Sequence, residues 1–76
     1  MSNDAMTKHG IYVKPGQVWR DLDKRMDRYC KVVQIDNGKA VMQQCRADGN
    51  VITERTTRVS IRRMYRHATG WDLVKP

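Results

Sequence analysis

The longest alternation of apolar and polar positions runs through Tyr29-Cys-Lys-Val-Val-Gln-Ile-Asp-Asn-Gly-Lys-Ala-Val-Met-Gln-Gln-Cys45, two β-rich runs that meet at Asn37-Gly38. Asn and Gly both tolerate the positive φ that a two-residue type I′ turn needs at its central positions, so the segment predicts a tight hairpin. A two-residue loop then sets the pairing: Asp36 opposite Lys39, Ile35 opposite Ala40, Val33 opposite Met42, and Cys30 opposite Cys45. Side chains alternate across a sheet, which puts Val33, Ile35, Ala40 and Met42 on a core face. The other face takes Cys30, Val32, Val41 and Cys45 with Gln34 and Gln43. It is half apolar, and so either lies under another element or contacts a partner.

Turn chemistry divides the rest of the chain. Pro15-Gly16 feeds a first short strand at residues 17–20. Residues 21–28 set charges around only Leu22 and Met26, the composition of a solvated loop. Asp48-Gly49 repeats the hairpin signal, and the β-branched residues 51–60 extend a second hairpin. After Ser60, a candidate N-cap, the period changes: Ile61, Met64 and Tyr65 are spaced as on a helical turn. Thr69-Gly70 ends that turn and residues 71–74 form a last strand. Residues 1–10 show no periodicity and read as a disordered arm, leaving residues 11–76 as one domain. The predicted fold class is all-β: a small SH3-like barrel of about five antiparallel strands with one short helical turn before the last. Closure into a barrel removes the exposed edges of an open sheet. Its core is expected to hold Trp19, Val33, Ile35, Met42, Val59, Ile61 and Leu73, with Trp71 plugging one end.

Seventy-six residues leave room for one domain and exclude a multi-domain enzyme. Apolar runs are two or three residues long, far short of the ~18 that cross a bilayer, and the N-terminus lacks the apolar stretch of a signal peptide. A soluble, cytoplasmic protein with reduced thiols is the expectation. Fifteen Lys and Arg against eight Asp and Glu give a formal charge of +7. That field attracts anions such as nucleic acid or anionic lipid.

Val13-Lys-Pro-Gly-Gln-Val-Trp19, the Asn37-Gly38 hairpin, Arg55-Thr-Thr-Arg-Val-Ser-Ile-Arg-Arg63 and Thr69-Gly-Trp71 together resemble a group of short SH3-like barrel proteins of bacteria and their phages. The likeness spans residues 12–75. It implies the barrel and a phage or prophage setting, and brings no activity with it.

Chemistry concentrates in one basic segment. Residues 55–71 contain Arg55, Arg58, Arg62, Arg63 and Arg66 and no acidic residue. The guanidinium fork grips phosphate with paired hydrogen bonds. With Val59 and Ile61 pointing inward, Arg58, Arg62, Arg63 and Arg66 fall on one outward ridge, and Tyr65 among them is placed to stack on a base. The bland alternative is a solvated face with Tyr65 in the core. Lys24, Arg25, Arg28 and Lys31 interleave with Asp21, Asp23 and Asp27, a pattern of local ion pairing.

Cys30, Cys45, His9 and His67 lack the spacing of a zinc site, and no metal or other cofactor is expected. Ser60, His67 and Asp72 make a triad by composition only, so an enzyme is not expected. Two functions stay open. One is a basic module that binds the phosphates of DNA or RNA through Arg55, Arg58, Arg62, Arg63, Tyr65 and Arg66. The other is an interaction module that docks on an acidic host protein, or forms a homodimer, through the Cys30/Val32/Val41/Cys45 face.

Overall fold

A computed structural model describes residues 5–76. Strands β1 (Val18–Asp21), β2 (Tyr29–Asp36), β3 (Lys39–Cys45), β4 (Thr57–Ser60) and β5 (Trp71–Lys75) form one sheet in the order β4-β3-β2-β1-β5. Each pairing is antiparallel. A 3-10 turn at Ile61–Arg63 carries the chain from β4 to β5. That order, with a single turn before the last strand, is the architecture of a small SH3-like barrel.

The Asn37-Gly38 loop is as expected. Both residues have positive φ, 51° and 79°, and Asp36 faces Lys39. Ile35 faces Ala40, as the loop requires. Beyond Gln34 the register differs: Val33 is a bulge, Val32 faces Met42, Cys30 faces Gln44, and Tyr29 faces Cys45. The Cys30–Cys45 pairing is therefore wrong by one residue. A bulge adds one unpaired residue and bends its strand, which a short sheet needs in order to curl around a core. Every residue before it changes face. Val33 is 39% exposed, while Val32 and Cys30 are fully buried.

Rows of side chains across the sheet make up the core. Trp19 sits between Cys30 on β2 and Leu73 on β5, and Ala40 sits between Ile35 and Val59. Met42, Ile61, Met64 and Val13 fill the centre, with Ile35, Val59 and Leu73 partly buried against it. Val33 leaves the expected core and Val32 takes its place.

The half-apolar face does not exist as a surface. Cys30, Val32, Val41 and Cys45 are all buried within the chain, the first two because the bulge turns them inward. Val18, on the side of β1 opposite Trp19, lies beneath the 46–50 loop beside Gly49. That loop is closed by Arg46 N–H donating to Asn50 O at 2.9 Å and pinned by Lys75 Nζ donating to Asp48 O at 3.0 Å. The expected contact face would need those four side chains exposed, and in the single chain they are covered.

Two further expectations change. The run 51–60 is not one strand: Val51 bridges Cys45, residues 53–56 leave the sheet, and the chain rejoins β3 only at Thr57. Thr53 explains the excursion, since its Oγ1 accepts from Arg55 N–H in a local turn that competes with the ladder. Ser60 caps nothing with its side chain. Instead Ile61 N–H donates to Gly38 O at 3.1 Å, tying the 3-10 turn to the hairpin tip.

Hydrogen bonds link the described part of the arm to the residues that follow it. Val13 N–H donates to Ala5 O at 2.7 Å, Thr7 N–H to Ile11 O at 2.8 Å, and Ile11 N–H to Thr7 Oγ1 at 3.1 Å, so residues 5–13 fold back as a small hairpin turning at Gly10, φ 84°. Residues 1–4 lie outside the described residues. The Pro15-Gly16-Gln17-x-Trp19 opening acquires a cause. Gly16 has φ 96°, and Gln17 turns its amide into the interior. Its Oε1 accepts from Lys14 N–H at 2.9 Å and Trp19 Nε1–H at 3.1 Å, while its Nε2 donates to Tyr12 O at 3.0 Å.

Candidate nucleic-acid interface

Ile61 and Met64 are fully buried and the intervening Arg62 and Arg63 are exposed. The 3-10 turn thus presents two guanidinium groups from a backbone anchored at both ends. Neither has a carboxylate partner among the described residues. Arg58, outward on β4, is bonded to Asp36 at 2.7 Å, and Arg66 lies 3.8 Å from Asp72. Both are exposed pairs, each contributing about 0–1 kcal/mol, and a phosphate can compete for either arginine. Arg55 stands apart. With Arg28, Thr53, Thr56 and Thr57 it lines a polar recess of about 290 Å³ on the side where residues 53–56 leave the sheet.

Tyr65 is half-buried, between the two expectations for it. Its ring receives the His9 ring edge-on at a centroid distance of 5.1 Å, leans on His67 at 4.5 Å, and has Lys8 Nζ above it at 5.3 Å. A cation at that distance over a phenol ring is attracted to its π face. Gly70 makes the arrangement possible: any Cβ there would collide with the Tyr65 carbonyl oxygen and the His67 ring. Trp71 N–H donates to Tyr65 O at 2.9 Å, closing the turn onto β5.

Beside this cluster opens a groove of about 470 Å³. Its floor is apolar, formed by Trp19, Met64, Trp71 and Leu73, with the exposed Ile11 at the mouth. His9, Tyr65, Arg66 and Asp72 form its rim. Three stretches of chain meet here: the arm, β1, and the turn with β5. Sequence reasoning placed Arg62, Arg63, Tyr65 and Arg66 in a functional segment and missed Lys8, His9 and the groove. The only signal for them was a Lys-His pair before Gly10, in a stretch without periodicity.

In the second basic cluster Arg25 and Arg28 are paired locally, as the interleaved charges predict, and Arg20 joins them. Arg25 bonds Asp23 at 2.9 Å, Arg20 bonds Asp27 at 3.1 Å, and Arg28 bonds the buried Asp21 at 3.3 Å. The Arg25 hydrogen bond holds Asp23 below the usual carboxylate range. Cys30 and Cys45 are free thiols. Burial pushes Cys30 up to about 11, and a thiol held protonated is a poor nucleophile and metal ligand. Among the described residues no three His, Cys, Asp or Glu side chains gather around a metal position, and no helix is long and apolar enough to cross a membrane. Comparison with protein-family models, curated proteins and solved structures gave no match.

Proposed function

We propose that this chain is a small nucleic-acid-binding module that holds phosphates with Arg62, Arg63 and Arg66, joined by Lys8, and works in the cytoplasm of a bacterium carrying a phage or prophage. The observation that carries this reading is a turn, pinned by Ile61, Met64 and the Gly38 carbonyl, that presents two arginines without a carboxylate partner among the described residues beside the Lys8–Tyr65–Arg66 cluster. An anchored backbone spares a phosphate contact the cost of ordering a loose loop. Arg58 reaches a phosphate only by leaving Asp36, a small cost at an exposed pair. Arg55, in its separate recess, is at most a distal contact.

Fluorescence anisotropy with labelled single-stranded and duplex oligonucleotides at two salt concentrations tests this. Affinity should fall steeply with salt. Each phosphate contact removed should flatten the log–log slope by about 0.7–0.9, so Arg62→Ala, Arg63→Ala and Arg66→Ala together should flatten it by about 2–3. Lys24→Ala with Arg25→Ala should change little, because the aspartates beside them already neutralise the field. No binding to either oligonucleotide at low salt would remove this proposal and leave the acidic protein partner as the remaining class.

A further inference from the structure

We infer that the groove beside Tyr65 receives an unpaired nucleobase, so that the ligand is a single strand rather than a duplex. This rests on the phosphate-binding reading above and adds what the phosphates are attached to. The groove is an apolar slot beside cationic groups: Arg66 lines it, Lys8 stands over the ring of Tyr65 at its rim, Arg62 and Arg63 lie on the adjoining turn, and its lining includes Trp19 and Trp71. A flat, apolar-faced group carried on a polyanion has the same two-part chemistry. An apolar peptide side chain would suit the floor and leave the cations without partners. A free phosphate would suit the cations and leave the floor wet.

The rim also serves a base edge. Base edges present both N–H donors and ring or carbonyl acceptors. Asp72 supplies an acceptor and Arg66 a donor, already 3.8 Å apart. The Asp72 carboxylate repels a backbone phosphate, which directs the strand to the Lys8 and Arg62–Arg63 side and leaves the base toward Asp72. In a duplex the bases are stacked and paired, and delivering one here requires extruding it at a cost in unstacking. A single strand has no such cost, and stacking against aromatic surfaces is tolerant of sequence.

The chain contains two tryptophans and both line the groove, so their emission reports its occupancy. The test titrates the whole chain with four ligands of equal length: single-stranded DNA, single-stranded RNA, duplex DNA, and a single strand whose sugars carry no bases. Both single strands with bases should quench the tryptophans and bind about tenfold or more tighter than the abasic strand, the increment expected of base stacking. Neither the duplex nor the abasic strand should quench. Ile11→Trp, which fills the mouth from an exposed position without changing charge, should bring single-strand affinity by anisotropy down to the abasic level and leave abasic binding unchanged. Circular dichroism checks that this variant folds; the abasic comparison decides the matter on the unaltered chain alone. Equal affinity for abasic and base-bearing strands, without quenching, overturns the groove proposal and keeps the phosphate reading. Absence of binding to all four overturns both.

Discussion

Gln17 is the buried polar group on which the groove floor depends, and its replacement gives the sharpest test of how this barrel is held. Gln17→Met keeps an unbranched side chain of similar length and removes three hydrogen bonds at once, those to Lys14 N–H, Trp19 Nε1–H and Tyr12 O. The backbone groups are part-buried and recover some water. The indole N–H does not, because Trp19 is 1% exposed. A buried donor left without a partner costs about 1–3 kcal/mol, and the two backbone bonds add roughly 0.5 each, for a loss of about 2–4 kcal/mol. A chain of this length has on the order of 4–11 kcal/mol to lose. At about 4–8 °C per kcal/mol, the melting temperature should drop by roughly 8–32 °C.

A double-mutant cycle separates this cause from simple loss of packing. Trp19→Phe removes the donor while Gln17 keeps its bonds to Lys14 and Tyr12. In Gln17→Met with Trp19→Phe no indole N–H remains to be orphaned, so the double change should cost less than the sum of the singles by about 1–2 kcal/mol. Urea denaturation followed by far-ultraviolet circular dichroism, which does not depend on the altered indole, measures all four chains; midpoints should shift at constant slope. Strict additivity, or a loss below about 0.5 kcal/mol for Gln17→Met, would refute the claim that this amide is a structural staple.

Three other outcomes follow from the same structure. Met42→Ala, at a fully buried position, should cost about 2–5 kcal/mol, whereas Val33→Ala, on the exposed bulge, should cost well under 1; equal losses in thermal denaturation would restore the unbulged register. Gly70→Ala should destabilise the chain and displace Tyr65, read as loss of the His9–Tyr65 contact in nuclear Overhauser spectra, because the added methyl has no space beside the Tyr65 carbonyl and His67. Burial raises the Cys30 thiol from about 9 to about 11 in the folded state, so the unfolded chain ionises first; this contribution to stability is full below pH 9 and should be lost between about pH 9 and 11, a decline that Cys30→Ala should reduce while the Cys45 thiol, also raised by burial, keeps part of it.

What the sequence could show was whatever a few neighbouring residues decide. Asn37-Gly38 sets its own φ angles, and the strand content, the turn before β5 and the pairing of aspartates with arginines in residues 21–28 all follow from local spacing. The bulge was not legible for the same reason. Val32 and Val33 are identical side chains in adjacent positions, and either can face the core; the bulge that curls the sheet turns Val32 inward, and no window along the chain contains that information. Ser60 has the composition of a cap, yet the hairpin tip supplies the partner for the next N–H, a contact across the sheet that spacing cannot reveal.

The candidate site divides along the same line. Its arginines are consecutive enough to be noticed as a run, and two of them, Arg62 and Arg63, keep the exposed position that the apolar Ile61 and Met64 give them. The groove has no run to notice. Lys8 and His9 come from an arm ordered through backbone bonds to Ile11 and Val13, Trp19 from a strand held by Gln17, and Tyr65, Arg66 and Trp71 from a turn that Gly70 alone lets close. Each of these segments has a structural cause of its own, unrelated to the others. Their convergence next to Arg62 and Arg63 gives the proposed site an apolar inside, and a site with an inside can discriminate among polyanions where charge alone cannot.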